Sequence, residues 1–155
     1  MNNYKELKIW QKSIELSVKI YHITQTFPRT EVFGLTSQMR RSASSVATNI
    51  AEGAGRNSRK EFSNFLGIAN GSSSELETQM IIASKVNLIS NAELKSLQKL
   101  VTEIQKMNWA LKRTLLRTSP SSTNTQDWST NNQYSGLRTQ DSGLRTQDSG
   151  LSAED

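Results

Sequence analysis

Apolar residues recur every three or four positions through the first 118 residues of the chain, which is the spacing of amphipathic helices. No stretch of this part alternates apolar and polar residues in the manner of a strand. The pattern predicts four long helices, over residues 3–26, 34–54, 58–87 and 90–115. Because most connections between them are short, neighbouring helices are expected to run antiparallel. The predicted fold class is all-α: an antiparallel up-down four-helix bundle with long helices.

The first predicted helix has two apolar faces, about 150° apart at 100° per residue. One face consists of Leu7, Trp10, Ile14, Val18 and Tyr21, and the other of Ile9, Leu16, Ile20 and Ile23. One apolar face is enough to dock a helix into a bundle, so the second requires another partner. That partner is either a neighbouring helix of the same chain or a second subunit, and the sequence leaves both open.

Small residues distinguish the second and third predicted helices. Between its core positions, helix 2 carries Ser42, Ser44, Ser45, Ala51 and Gly53. So thin a helix allows a close approach, and a second helix is favoured over a backbone phosphate as the approaching group. Helix 3 contains Gly67 and Gly71, each of which costs ~1 kcal/mol relative to Ala. Their shared face points away from the core stripe, which favours a contact with another subunit.

Residues 119–155 differ from the rest in composition, because only 6 of these 37 residues are apolar, against 47 of the first 118. They contain the tandem repeat SGLRTQD, at residues 135–141 and again at 142–148. Each copy has a single Leu, so it lacks the second apolar position of a coiled-coil seam. So little apolar surface cannot offset the entropy of ordering the chain. We predict a bundle domain over residues 1–118, followed by a disordered C-terminal tail over residues 119–155.

The net charge follows the same division. The whole chain carries 19 Lys and Arg against 14 Asp and Glu, a net charge of +5. Residues 1–118 hold 17 of the basic residues and 9 of the acidic ones, while the tail holds 2 and 5. The bundle is therefore more basic than the average indicates, and a basic surface favours an anionic partner such as nucleic acid.

The composition argues against an enzyme. Without Cys, the chain has no thiolate nucleophile, no thiolate metal site and no disulfide. The single histidine, His22, has no carboxylate within reach in sequence, while Glu75 and Glu77 face different directions on one helix. We expect no catalytic residue, no metal site and no cofactor. No apolar run is long enough to span a membrane and the N-terminus is polar, so the expected location is the cytoplasm, with no membrane partner.

The two junctions that flank helix 2 are rich in basic residues. The candidate nucleic-acid-binding residues there are Arg40, Arg41, Arg56, Arg59 and Lys60. Arg59 and Lys60 fall in the first turn of helix 3, where free amides attract anions although the helix dipole disfavours cations. The alternative is an ordinary solvated face, in which Glu52, for example, pairs with Arg56 four residues later.

The glycines of the segment AEGAGR, Gly53 and Gly55, do not indicate a phosphate-binding loop. Such a loop follows a strand and continues with Gly-Lys-Ser/Thr, whereas these glycines follow a helix. They are expected to end helix 2, with Gly55 or Asn57 in the left-handed conformation.

Residues 27–79, which begin FPRTEVFGLTSQMRRS and end GSSSELETQ, resemble the four-helix bundle family of 23S ribosomal RNA intervening sequence proteins. The resemblance covers about residues 3–118 and includes Arg40, Arg41 and Arg56. The other matching positions, for which a structural role is expected, include Gly34, Gln38, Asn49, Glu52, Gly53, Gly55, Gly71 and Glu75. A related branch, the accessory variability proteins of diversity-generating retroelements, forms a basic pentameric barrel that binds nucleic acid and a reverse transcriptase.

The resemblance and the charge together lead to one expectation and one alternative. We expect a non-enzymatic homo-oligomer, a pentamer by this resemblance, that binds structured RNA or DNA through backbone phosphates. The alternative is an oligomeric protein-interaction scaffold, for example an accessory to a reverse transcriptase. In that alternative Asn49, Glu52 and Glu75 form a buried network with an Arg, and the motif is structural.

Overall fold

The computed structural model describes residues 3–117, which form four α-helices and no strand. The helices are α1 (Lys8–Thr24), α2 (Leu35–Ala54), α3 (Arg59–Lys85) and α4 (Asn91–Arg117). Short 3-10 helices precede α1 at Tyr4–Glu6 and α2 at Arg29–Glu31. The predicted four-helix fold is confirmed. The predicted division at residue 118 and the predicted tail lie outside the described residues.

The helices pack as the four corners of a square. Helix α1 packs against α2 and α4, α3 packs against the same two, and α1 does not contact α3. The start of α4 meets the end of α1, where Glu93 and Leu97 share a groove with Lys19 and His22. The end of α4, at Leu115, instead meets the junction of α2 and α3. Neighbouring helices therefore run antiparallel, as predicted.

Helix α1 buries one of its two apolar faces. Leu16 and Ile20 are fully buried, whereas Ile14, Val18 and Tyr21 remain 38%, 47% and 46% exposed. The buried face also contains Ser13 and Thr24, whose hydroxyls donate to the carbonyls of Ile9 and Ile20 one turn earlier. Because those hydroxyls find partners within their own helix, they enter the core at little cost. The second apolar face is only partly covered: Leu7 and Trp10 pack against the edge of the core, whereas Ile14 and Val18 stay exposed.

Helix α2 packs closely against α3, as its small residues predict. A Cβ added at Gly53 would lie 2.7 Å from Cδ2 of Phe62 and from Cβ of Phe65. Farther along the same interface, the hydroxyls of Ser45 and Ser72 are hydrogen-bonded at 2.9 Å. The thin side of α2 therefore accommodates a helix of the same chain.

The ends of the helices follow from local hydrogen bonds. Ser90 and Glu93 form a complete capping box: the backbone amide of Ser90 donates to Glu93 Oε2 at 2.7 Å, and the amide of Glu93 donates to Ser90 Oγ at 3.2 Å. At the end of α3, Asn87 adopts a left-handed φ of 60°, and the Leu88 amide donates to the carbonyl of Ala83 at 2.8 Å. This is a Schellman motif, and it ends α3 two residues before the predicted boundary.

Two other local predictions are wrong. Helix α1 does not begin at residue 3, because Leu7 is extended, with ψ at 116°, and separates the 3-10 turn from α1. Gly55 keeps a right-handed φ of −80°, and Asn57 does not have a positive φ either. The α2–α3 junction turns without a left-handed residue, because the amide of Gly55 bonds to the carbonyls of Ala51 and Glu52 within the last turn of α2.

Candidate nucleic-acid interface

Arg40 holds α1 and α2 together. Its Nε donates to Thr24 Oγ1 at 2.8 Å, and its guanidinium carbon lies 4.8 Å from the centroid of the Tyr21 ring. The side chain is only half-buried, but its Nε and the face of its guanidinium both contact groups of α1. Arg40 is therefore placed to stabilise the α1–α2 pair through these two contacts.

Arg56 is engaged in a similar way at the α2–α3 junction. It forms a salt bridge with Glu52 one turn earlier, and its guanidinium carbon lies 4.9 Å from the centroid of the Phe65 ring. Arg56 and Arg59 both line a shallow hollow at this end of the bundle, together with Ser58 and Leu115. The hollow is polar and exposed.

The other candidate cations are exposed but do not gather at one place. Arg41 lies on the outer face of α2, and Lys60 lies in the first turn of α3. Arg41 precedes Arg56 by fifteen residues, which is about 20 Å along a helix. Three of the five cations chosen from the sequence, Arg56, Arg59 and Lys60, thus lie at one end of the bundle, whereas Arg40 and Arg41 lie elsewhere on α2. Arg40 is hydrogen-bonded to Thr24, and Arg56 is bonded to Glu52.

The alternative in which the polar motif residues form one buried network is wrong in that form. Asn49 donates to the carbonyl and hydroxyl of Ser45, at 2.8 and 3.0 Å. Glu52 is exposed and pairs with Arg56, whereas Glu75 is exposed and accepts from Gln79 at 3.1 Å. What crosses between α2 and α3 is a smaller set of neutral groups, from Asn49 through Ser45 to Ser72.

The other motif residues have differing surroundings. Gly34 precedes α2, where Glu31 Oε2 accepts from the Leu35 amide at 3.2 Å and lies 2.7 Å from a Cβ added at Gly34. A side chain at Gly34 would therefore displace the carboxylate that caps α2. Gln38 is exposed on the first turn of α2. A Cβ added at Gly71 would meet nothing within 4 Å, so this chain does not itself require a glycine there.

Helix α4 presents a row of cations that the sequence analysis missed. The row consists of Lys95, Lys99, Lys106, Arg113 and Arg117, all of them exposed. Their spacings of four, seven, seven and four place them within about 40° of one another around the helix, over roughly 33 Å. Both carboxylates of α4 are engaged elsewhere: Glu93 with Ser90, and Glu103 with Lys12 at 3.4 Å. Within residues 3–117, no cation of the row forms a salt bridge.

The signal for this α4 row was present in the sequence. The apolar residues of α4 follow a regular bundle seam, and the lysines and arginines fill the opposite face with the same regularity. The polar face of a helix usually carries both acidic and basic residues, so a face that carries only cations indicates an anionic partner.

Next to the α4 row lies an exposed aromatic side chain. Trp109 is 63% exposed, and the guanidinium carbon of Arg113 lies 4.7 Å from the centroid of its ring. A groove between α3 and α4 runs beside the indole and is lined by Asn70, Ser74, Thr102, Gln105 and Lys106. The surface thus combines cations, an aromatic ring and amide side chains.

The described residues contain neither a candidate metal site nor a membrane-spanning helix. No group of three His, Asp or Glu side chains within residues 3–117 is arranged to hold a metal ion. None of the described helices combines the length and the apolar character needed to cross a membrane.

The fold and the cationic outer faces define an α-helical bundle protein with a basic surface. Residues 5–110 match the model of the 23S rRNA-intervening sequence protein family, and the chain belongs to that family. The resemblance drawn from the motif is therefore confirmed. No curated protein matches the sequence.

A solved structure supports the same family assignment. The chain is similar to the crystal structure, at 1.70 Å resolution, of a protein with unknown function from the S23 ribosomal protein family of Bacteroides thetaiotaomicron VPI-5482. The two sequences are 26% identical and the TM-score is 0.64. The match covers 68% of this chain and 98% of that chain, so the shared region is the whole bundle of the relative.

Proposed function

We propose that this protein is a non-enzymatic, homo-oligomeric bundle of the cytoplasm that binds nucleic acid, RNA foremost, through backbone phosphates. The observation that carries the proposal is the α4 row, with five exposed cations on one face and no salt bridge to any of them in residues 3–117. Such a row offers charge to a polyanion without first having to break internal ion pairs. Phosphate contacts of this kind give affinity that depends on salt and little on sequence.

The junction cations extend the basic surface around one end of the bundle. Arg59 and Lys60 begin α3 at the end where α4 finishes, as the hollow shared by Arg59 and Leu115 shows. They therefore lie near the Arg113–Arg117 end of the α4 row. Arg41, on α2, is a separate cation, and we assign Arg40 and Arg56 mainly to the stability of the chain because of their internal partners.

A mobility-shift titration with a structured RNA hairpin, at 50 and 200 mM salt, tests the proposal. The variant Lys95→Gln/Lys99→Gln/Lys106→Gln should bind at least 10-fold more weakly. Its dependence of log affinity on log salt should also be shallower by roughly 0.7–0.9 for each lost contact. The matched control, Lys5→Gln/Lys19→Gln/Arg29→Gln, removes the same charge from other parts of the surface. An unmodified protein that does not bind RNA at 50 mM salt would refute the proposed function.

The exposed apolar faces support assembly of several subunits. Ile14, Val18 and Tyr21 lie on the outer side of α1, whereas Ile82 and Val86 lie on the outer side of α3, at 45% and 54% exposed. Helices α1 and α3 occupy opposite corners of the bundle, so the two faces point away from each other. A contact between unlike faces repeats from one subunit to the next, and it forms a ring when the rotation between neighbouring subunits divides a full turn evenly. We propose five subunits, the number that the resemblance to the accessory variability proteins implies.

Complementation between two variants tests this arrangement. Val18→Asp damages the α1 face and Ile82→Asp damages the α3 face, so each variant alone should dissociate. A mixture should form heterodimers in native mass spectrometry, because each variant keeps the intact face that the other lacks. Variants that stay assembled, or a mixture that remains monomeric, would contradict the ring of unlike faces.

A protein-interaction scaffold is the second candidate function, and one observation favours it. Phe33, in the loop before α2, is 94% exposed and has no packing partner among the described core residues. An aromatic side chain so exposed is a common anchor for a protein partner. A Phe33→Ser variant that keeps RNA binding and loses a protein partner would separate the two functions.

A further inference from the structure

Trp109 is unusual among the large apolar side chains of α4. The helix buries its core seam, including Leu97, Val101 and Ile104, whereas Trp109 stands on the outer side at 63% exposed. An exposed indole on a charged surface presents a flat apolar ring on which a planar ligand can stack. Arg113, one turn later, lies over the ring at 4.7 Å from its centroid and holds the indole in a fixed orientation.

The surroundings of Trp109 are polar and open. The α3 side of the groove carries Asn70 and Ser74, and the α4 side carries Gln105 and Lys106. Gln105 donates to Ser73 Oγ at 3.3 Å, which fixes its amide beside the groove. A flat ring and nearby amides are what an unpaired nucleobase needs for stacking and for hydrogen bonds along its edge.

We propose, on the basis of the proposed function, that this groove binds an unpaired base stacked against the Trp109–Arg113 pair. The phosphates of the same strand then lie along the α4 row, where Lys106 and Arg113 flank the indole. Nucleic-acid partners with single-stranded segments, such as loops, bulges or overhangs, are therefore preferred over a continuous duplex. In a duplex the faces of the bases are covered by their neighbours, so Trp109 gains no stacking contact.

Charge favours this occupant over a second protein surface. Lys106, Lys112 and Arg113 all lie within about one helical turn of Trp109 on α4. Burying them against an apolar surface would desolvate three cations without a counter-charge. A polyanion supplies that counter-charge, because each nucleotide brings one phosphate.

Two RNA probes and the variant Trp109→Ala test the proposal. The probes are a fluorescein-labelled 20-nucleotide single-stranded RNA and a fully paired 20-base-pair RNA duplex. Trp109→Ala should weaken binding of the single strand by about 10-fold, which matches the loss of one stacked base. Binding of the duplex should change by less than about twofold, because the phosphate contacts remain. Circular dichroism and native mass spectrometry establish that the variant keeps its fold and its assembly.

Tryptophan emission supplies a second readout that does not depend on affinity. Unlabelled single-stranded RNA should quench the emission of the unmodified protein, and Trp109→Phe should lose most of that quenching. The matched control is Trp10→Phe, in which a half-buried indole that packs edge-on against Tyr4 is replaced. This control should retain the quenching, since its Trp109 is intact.

The outcomes separate the two proposals. Equal loss of single-strand and duplex binding in Trp109→Ala, or no loss at all, overturns the stacking site while the phosphate surface stands. A change in subunit number in Trp109→Ala overturns it as well, because Trp109 is then a contact between copies of the chain. If the unmodified protein binds neither probe at 50 mM salt, the proposed function itself fails.

Discussion

The backbone of Gly53 approaches the ring of Phe62 so closely that a Cβ on Gly53 would lie 2.7 Å from Cδ2 of that ring. The same added atom would lie 2.7 Å from Cβ of Phe65. Two aromatic residues that lie three positions apart on α3, and hence on neighbouring sides of one turn, therefore set the distance between α2 and α3.

We expect Gly53→Ala to lower the free energy of unfolding by about 1–2 kcal/mol. Overpacking costs roughly 1–3 kcal/mol, and the better helix propensity of Ala returns part of it. Urea unfolding followed by circular dichroism measures the change. Gly55→Ala is the control, because its Cβ would meet only an ordinary contact at 3.4 Å with the Glu52 carbonyl. Equal stability of the two variants would contradict the close packing.

Arg40 and Arg41 are neighbours in sequence with opposite expected roles. Arg40→Ala removes a hydrogen bond to Thr24 and a contact with the Tyr21 ring, so a loss of about 1–2 kcal/mol is expected. Arg41→Ala should change the free energy of unfolding by less than about 0.5 kcal/mol, because the side chain is exposed. Thermal unfolding of both variants checks this. A larger loss of stability in Arg41→Ala than in Arg40→Ala would show that Arg41, and not Arg40, is the structural residue.

The Glu93 carboxylate makes the stability of α4 depend on pH. Hydrogen bonds from the Ser90 hydroxyl, and then from the Ser90 amide, hold the pKa of Glu93 below its ordinary value of 4.5. A group whose pKa is depressed in the folded state stabilises the fold above its unfolded pKa. That contribution is lost as the pH falls through the lower, folded value.

Urea unfolding of Glu93→Gln at several pH values tests this linkage. The variant should be less stable than the unmodified protein at pH 7, by a few tenths of a kcal/mol to about 1 kcal/mol for so exposed a group. The difference should shrink as the pH is lowered from about 5 towards 3. A difference that stays constant over this range would show that Glu93 acts through its shape and not through its charge.

A substitution at Gly71 should have opposite effects on the stability of the isolated subunit and on the association of subunits. Since nothing lies within 4 Å of an added Cβ, Gly71→Ala should stabilise the dissociated subunit by about 1 kcal/mol through helix propensity. The same variant should weaken association, because Gly71 shares the outer side of α3 with Ile82. Gly67→Ala is the control, since its Cβ would approach only the flexible end of Lys112, at 3.5 Å. Unchanged association of Gly71→Ala at all concentrations would exclude Gly71 from the interface.

The sequence was sufficient to predict the fold, because each helix repeats its apolar residues at the helical period. It could not choose between the two faces of α1, since both are apolar and only the neighbouring helices decide which is buried. The buried face includes Ser13 and Thr24, which look unsuited to a core until their bonds to their own helix are seen. Composition alone does not predict that a Ser or Thr hydroxyl will bond to a carbonyl of its own helix.

The candidate site was predicted less well than the fold. Counting cations near helix 2 identified Arg40 and Arg56, and the spacing of four residues predicted the salt bridge between Glu52 and Arg56. The Thr24 hydroxyl and the aromatic rings that also engage these arginines are brought there by helix packing, which composition does not specify. The α4 row, by contrast, is predictable from the sequence, because a helical projection places Lys95, Lys99 and the later cations on one face. The groove beside Trp109 depends on the register between α3 and α4, which the sequence does not specify.

The α4 row also couples the stability of the domain to its ionic surroundings. Lys95 and Lys99, like Arg113 and Arg117, are four residues apart, and each such like-charged pair weakens a helix by roughly 0.2–0.5 kcal/mol. Dissolved salt screens this repulsion, and a bound polyanion cancels it. By linkage, a ligand that binds only the folded chain raises its melting temperature. We therefore expect α4 to be more resistant to unfolding at high salt, or with a polyanion bound along the row, than at low salt without one.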